Sequence, residues 1–205
     1  MTVSEKKSGR PGKRGKLFIV SAPSGAGKTT LCRAVREHFP DMLYSVSHTT
    51  RAPRAGEKDG VDYFFIATAR FKKKIEQGAW AEWAKVHDHY YGTAHRFLQD
   101  GLSAGRDILL DIDVQGTRQM IEHYPDSITI FIMPPSVGVL KNRLEKRGTD
   151  SPAVIAKRLA NAQAEMEKKD RYRYVIVNDC LPAAVDRLLS IINACRTVAE
   201  SERSS

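Results

Sequence analysis

Short apolar runs recur along the chain, and each is followed by a stretch with helical spacing. Residues 17–20 (Leu-Phe-Ile-Val) form the first run, a buried strand by composition and length. Leu31, Ala34, Val35 and His38 then repeat at i, i+3, i+4 and i+7, which predicts a helix over 29–38. Further runs at 107–113, 128–133 and 174–177 read as strands. Near-continuous apolar runs mark strands covered on both faces, as in parallel sheets. Helical patterns separate them. One covers 114–124. The next is marked by Val137, Leu140 and Leu144 and stops at Gly148. Ser151-Pro152 supplies an N-cap and first-turn proline for a helix to about 169, and Leu181, Val185, Leu188, Leu189, Ile192 and Cys195 mark the last helix. This alternation predicts an α/β fold with a parallel-sheet core and right-handed crossovers.

Two stretches break the rhythm. Residues 46–92 are rich in Arg, Thr, Gly, Tyr and Trp and read as an inserted subdomain; residues 143–170 are highly charged and read as a helical lid. The core is then 16–45, 93–142 and 171–199, with a polar, frayed end at 200–205.

The turn after the first strand carries candidate chemistry. Ala22-Pro23-Ser24-Gly25-Ala26-Gly27-Lys28-Thr29 joins a strand to a helix and ends in Gly-Lys-Thr. Gly25 and Gly27 let the backbone bend and approach an anion. The helix that follows aims unpaired N–H groups and its positive dipole end at the same point. Lys28 is expected to reach the β- and γ-phosphates of a nucleoside triphosphate, and the Thr29 hydroxyl to ligate Mg²⁺. The first position is Ala22 where the usual pattern has glycine, which implies that no positive φ is needed there. The bland alternative is an ordinary Gly-rich strand-to-helix turn.

About 20 residues on, Arg51 and Arg54 flank Pro53 beside the hydroxyl residues Ser45, Ser47, Thr49 and Thr50. Guanidinium forks match phosphate oxygens bidentately, and Tyr63 and Tyr91 can donate phenolic hydrogen bonds to the same group. A solvated basic loop is the alternative. In the 107–113 run Leu109, Asp111 and Asp113 share a strand face, and carboxylates there need cations or donors. Asp113 would support Mg²⁺, directly or through water, or else cap the following helix. Asp111 would accept hydrogen bonds from a base. Arg143, Arg147 and Arg158 fall in the lid, where they would stabilise charge on a moving phosphoryl group, or pair with Glu145 or Glu165. Trp80 and Trp83 read as core.

Length and charge narrow the picture. The chain has 205 residues and 41% hydrophobic content, enough for one globular unit with insertions. No apolar run approaches the roughly 20 residues of a membrane helix, and the basic N-terminus lacks the apolar segment of a secretory signal. The net charge is +9, of which +5 lies in residues 1–16, with six bases against one acid. Residues 1–15 therefore read as a flexible basic tail, and the body's modest excess suits two polyanionic ligands. Cys32, Cys180 and Cys195 show no metal-type spacing and read as packed thiols in a reducing cytoplasm.

Together these motifs resemble the guanylate kinase family, across roughly 16–194. The most specific matches are Ser45 through Glu57 (SVSHTTRAPRAGE), Asp62-Tyr63, Tyr90-Tyr91-Gly92, Ile108 through Gly116 (ILLDIDVQG) and Ile176-Val177-Asn178-Asp179. The resemblance implies transfer of the γ-phosphate of ATP to GMP or dGMP in purine nucleotide metabolism, a core, a mobile GMP-binding subdomain and a lid. It implies that residues 22–29, with Thr30 and Asn178, meet the donor nucleotide. It further implies that Ser47, Glu82, Thr93 and Asp111 read guanine, that Arg51, Arg54, Tyr63 and Tyr91 hold the GMP phosphate, and that Lys28, Arg51, Arg143, Arg147 and Arg158 act on the transferring phosphates. Thr93 stands where many members carry serine, and the hydroxyl is retained. Guanine presents N1–H and N2–H₂ donors that a carboxylate accepts, whereas adenine presents an acceptor at N1, a mismatch worth about 10⁴ or more in discrimination.

Other readings stay open on sequence: another small-molecule kinase on this scaffold, a guanylate-kinase-like module that binds protein, and a nucleic-acid binder. Retained Glu82, Asp111 and Ser47 speak against the first, an intact phosphate loop against the second, and charge concentrated in the tail against the third. The oligomeric state, monomer or homo-oligomer, is not legible.

Overall fold

The computed structural model describes residues 14–86, 88–148 and 150–201, with the side chains of all but 147 and 198–201. Most of the expected basic tail, and residues 202–205, lie outside the described residues. Gly15 and Lys16 already belong to the body: Gly15 N–H donates to the Leu102 carbonyl at 2.8 Å and Lys16 N–H to Asp107 Oδ1 at 2.8 Å. The chain is α/β and groups into two compact units.

The first unit holds Pro40–Leu110 and Arg118–Ser127, together with Leu17 and the described residues before it, so it is broader than the insertion expected at 46–92. Strand β2 (Leu43–Tyr44) pairs in parallel with β7 (Ile108–Asp111) through Leu43 opposite Ile108. A second sheet runs in the order β4 (Phe64–Phe65), β3 (His48–Thr49), β6 (His89–Ala94), β5 (Trp80–Val86). Helix α2 (Thr68–Glu76) lies between β4 and β5 in the chain, and α3 (His95–Ser103) follows β6. Phe71 of α2 is wholly buried, stacked on Trp80 at 4.4 Å and on Tyr90 at 5.3 Å between centroids. Gly92 lies under it because a Cβ would stand 2.9 Å from the Phe71 ring.

The hairpin β5–β6 is antiparallel but irregular. Trp80 pairs with Ala94 and Glu82 with Thr93, so β5 advances two residues while β6 advances one. This bulge breaks the alternation, and Trp80, Ala81 and Glu82 are all buried. Trp83 is 36% exposed, so the expectation that both tryptophans are core holds for Trp80 alone. Gln119 secures the backbone at Trp83, accepting from its N–H at 3.1 Å and donating to its carbonyl at 2.7 Å.

The second unit holds Phe18–Phe39, Asp111–Thr117 and the described residues from Ile128 on. Strand β1 (Leu17–Ser21) is buried throughout and pairs in parallel with β8 (Ile128–Met133), Phe18 opposite Ile128 and Val20 opposite Ile130. β8 pairs in parallel with β9 (Tyr174–Val177), Ile132 opposite Ile176. β9 was expected to be covered on both faces. It lies at the sheet edge instead, with Ile176 buried and Val175 and Val177 exposed. Helix α1 (Lys28–His38) buries Leu31, Cys32 and Val35. α4 (Val114–His123) follows β7. α5 (Val137–Arg147) is capped by Ser136, whose hydroxyl accepts from Val139 N–H, and ends at Gly148 with φ 64°. α6 (Pro152–Met166) begins with the Ser151 cap and Pro152. Leu140 and Leu144 pack on Ile155, Leu159 and Ala162, so the expected lid boundary at 143 falls inside a packed helix. α7 (Leu181–Ser201) carries its backbone through 200 and 201, where a frayed end was expected. Cys32 and Cys195 are buried thiols, but Cys180 is exposed. Among the described residues no helix is long and apolar enough to cross a membrane.

Candidate active site

The phosphate loop follows from β1. Ala22 is buried and needs no positive φ, whereas Gly25 and Gly27 adopt φ 97° and 98°. Ala26 N–H turns back to the Pro23 carbonyl at 3.0 Å, and Gly27 is the N-cap of α1. Two neighbours crowd the glycines. A Cβ on Gly25 would stand 2.9 Å from Leu140, and one on Gly27 would collide with the Asn178 amide nitrogen. That amide donates to the Ala26 carbonyl at 2.8 Å. In a planar trans peptide the carbonyl and the next N–H point oppositely, so this bond turns the Gly27 N–H away from Asn178. Asn178, expected beside the donor nucleotide, thus braces the loop itself.

Lys28 is held from two sides. Its ammonium donates to the Ile112 carbonyl at 2.9 Å and pairs with Asp111 Oδ1 at 2.5 Å. Burial pulls its pKa down, but the Asp111 carboxylate outweighs burial and the net shift is upward. Cys32, one turn along α1, has its thiol pushed well up by burial first and by Asp111 second. Asp111, expected at the base, is here the counter-charge of the loop lysine. Thr29 is exposed at the start of α1. Asp113 lies past the end of β7, not within it. Its Oδ1 accepts from Gly116 N–H at 2.8 Å, so it caps α4 as the alternative reading held. Glu165 of α6 is its acidic neighbour, and burial followed by Asp113 raises the Glu165 pKa.

The arginines of the charged segment divide. Arg143 Nη2 donates to the Asn178 carbonyl at 2.8 Å, not to Glu145 or Glu165. Arg158 pairs with Asp150 at 2.7 Å. Arg147 ends α5, and its side chain lies outside the described residues.

The second anion-binding candidate lies in the first unit. Arg51 forms a two-pronged pair with Glu57, Nη1 to Oε2 at 3.0 Å and Nη2 to Oε1 at 2.8 Å. Its guanidinium sits 5.4 Å from the Tyr63 ring centroid and 5.9 Å from that of Phe65. Tyr63 and Tyr91 meet edge to face at 6.0 Å. The structure therefore gathers Arg51, Tyr63 and Tyr91. Arg54 contributes its backbone N–H to Glu57 at 2.7 Å while its residue is exposed. Glu82 and Thr93 are buried together, with the Thr93 hydroxyl donating to Glu82 Oε1 at 2.6 Å. Ser47 precedes β3, its carbonyl accepting from Phe64 N–H at 2.9 Å. Sequence reasoning assigned no role to Glu57. Its signal was an acid three residues after Arg54, in a turn opened by Gly56 at φ 87°.

A glycine loop opening a helix off a buried parallel strand, with its lysine countered by an acid, defines a P-loop nucleotide-binding protein with an α/β core. The family model for guanylate kinase matches residues 14–195. A guanylate kinase of Syntrophotalea carbinolica is 51% identical over 90% of this chain and 89% of its own, and one of Caldanaerobacter subterraneus subsp. tengcongensis is 47% identical over 90% of each. The crystal structure of the guanylate kinase of Anaplasma phagocytophilum superposes with a TM-score of 0.70 at 33% identity, covering 89% of this chain and 86% of that one. The chain belongs to the guanylate kinase family.

Proposed function

We propose that this chain transfers the γ-phosphate of ATP to GMP or dGMP, giving ADP and the guanosine diphosphate, and so recycles GMP in purine nucleotide metabolism in the cytoplasm. Family membership supports the reaction. The observation that carries it on this chain is the Lys28 loop, locked by Asn178 and countered by Asp111.

The donor phosphates lie against the loop N–H groups, and Lys28 moves its charge from Asp111 onto them. Arg143 and Arg158 then meet the charge that builds during transfer, with Arg147 assigned the same role by position. The acceptor phosphate takes Arg51, Arg54, Tyr63 and Tyr91. Glu82, Thr93 and Ser47 read guanine, with Asp111 a further acceptor for the base. No dedicated base is required, because a nucleotide phosphate is already ionised near neutrality. The Thr29 hydroxyl and Asp113 are hard oxygen donors of the kind Mg²⁺ takes. Because Asp113 Oδ1 caps α4, its remaining oxygen is the one that fits a cation, directly or through water. Bound there, Mg²⁺ supplies neutralisation of charge on the donor phosphates.

A coupled ADP-release assay with ATP·Mg²⁺ and each of GMP, dGMP, AMP, CMP, UMP and ribose bisphosphate tests this reading. Rapid ADP release with the guanine nucleotides alone is expected. Equal rates with AMP would remove the roles given to Glu82 and Thr93, and silence with every acceptor would remove the reaction.

A further inference from the structure

Glu57 belongs to none of the roles above, yet its polar contacts tie the acceptor loop to Arg51 and Arg54. Its carboxylate takes two hydrogen bonds from Arg51 and one from the Arg54 backbone N–H, and its own N–H donates to the Arg54 carbonyl at 3.1 Å. Arg51 Nη1 also donates to the Ala52 carbonyl at 2.8 Å. These bonds use both hydrogens of Nη1 and one of Nη2. The Nε–H and the second Nη2–H form the other two-pronged edge of the guanidinium. That edge suits a phosphate's paired oxygens once Glu57 holds the end of the fork, with Tyr91 also hydrogen-bonded to the guanidinium.

Resting on the reading that Arg51 holds the acceptor phosphate, we infer that Glu57 is a positioning residue for acceptor binding. It fixes the plane of Arg51 over Tyr63 and presents the Nε/Nη2 edge to the phosphate. It is not a stand-in anion that the substrate must displace. Three observations favour the brace. The Arg51 side chain is only 12% exposed, and a guanidinium so desolvated needs a standing counter-charge. Glu57 is tied twice to the Arg54 backbone, through that N–H and that carbonyl, so its carboxylate leaving Arg51 would also give up the Arg54 N–H. The pair also leaves residues 51–57 with one net positive charge, on Arg54. A dianion is thereby attracted without two uncompensated cations facing each other before it arrives.

The two models predict opposite signs. Initial rates on the full-length chain would be measured with GMP and ATP varied in turn, for wild type, Glu57→Gln, Arg51→Ala and the double variant. A brace predicts that Glu57→Gln raises KM for GMP about 10-fold while KM for ATP holds within twofold, as expected when a supporting hydrogen-bond partner of a binding group is lost. In the Arg51→Ala background the same substitution should move KM for GMP less than twofold, since its effect passes through Arg51. A KM for GMP that falls or stays level in Glu57→Gln overturns the inference. So does an equal loss with and without Arg51, which would mark a merely structural carboxylate. If wild type itself shows no GMP-dependent ADP release, the underlying functional reading fails instead.

Discussion

Lys28 and Arg51 are each paired with a carboxylate, Asp111 and Glu57, but the surroundings differ. The Lys28 site is made of backbone. Its shape depends on two glycines at positive φ, a carbonyl held by Asn178 and a helix N-terminus. The Arg51 site is made of side chains on a turn, with aromatic rings beneath the guanidinium. A backbone site offers a fixed cradle in which few positions tolerate change. A side-chain site can be tuned by one partner at a time. The guanylate kinase family implies two phosphate-bearing substrates, and this chain offers one candidate site of each kind.

The largest expected effect breaks the first site. Lys28→Ala should lower kcat about 10³-fold or more, because charge on the moving phosphoryl group loses its fixed partner. Single-turnover rates would check this, and near-normal turnover would remove Lys28 from the chemistry. Next, Arg51→Ala should raise KM for GMP by about 10- to 100-fold, the loss of one bidentate contact, and leave KM for ATP flat. A matching rise for ATP would erase the distinction between the sites.

The contrast sharpens in the glycines. Gly27→Ala meets both a positive φ and the Asn178 amide, whereas Gly56→Ala meets the positive φ in open space. Gly56→Ala should cost about 1–2 kcal/mol and Gly27→Ala clearly more, read from urea unfolding midpoints. Equal costs would mean that Asn178 yields.

The effects of pH come last and are no larger than the cost at Gly56. The Arg51 guanidinium holds the Glu57 carboxyl below its usual range. Stability from that pair is therefore present above the ordinary carboxylate pKa and lost as pH falls through the lower folded value. Lys28 is shifted up, so its contribution is complete below the ordinary lysine pKa and lost only as pH rises through the raised one. Acid should loosen the Arg51 turn first, and alkali the Lys28 loop. His48 adds to the acid side. Packed on Phe64 and Trp80, it is lowered by burial, and by Lys74 and Arg70, from 6.5 to about 4. Between those values the unfolded chain binds the extra proton, so stability falls as pH drops through the window. After allowing for partial exposure this is about 1–2 kcal/mol. Urea midpoints at pH 7 and 4.5 should differ less in His48→Gln than in wild type.

Much of the fold was legible because period and punctuation agreed. β1, the Gly-Lys-Thr turn and α1 stand where the run at 17–20 and its helical sequel put them, and Ser151-Pro152 opens α6. Four-residue apolar runs do not distinguish a covered strand from an edge, so β9 was misjudged; exposed Trp83 and Cys180 show the same limit. Charge density at 143–170 hid the apolar stripe that packs α5 on α6. Within the candidate site, residue types were legible and partners were not. Asp111 reaches Lys28, Asp113 caps α4, and Arg158 takes Asp150. Each follows from how the chain returns on itself, which no local spacing encodes.

The β5 bulge carries a consequence about length. Glu82 stands beside Thr93 through the regular register that runs from Val86 opposite His89, and β5 then spends one residue more than β6 before Trp80. Substitutions change what stands at a position but leave that count intact. Removing Ala81 would only erase the bulge, with Trp80 still opposite Ala94 and Glu82 still opposite Thr93, whereas losing a residue of β5 beyond Glu82, such as Ala84, would set the acid opposite Gly92 and turn it away from the threonine. The buried carboxylate is therefore indifferent to the bulge residue itself and vulnerable to a codon lost between it and the hairpin turn, so the place of an insertion or deletion sets the boundary within which this hairpin can drift.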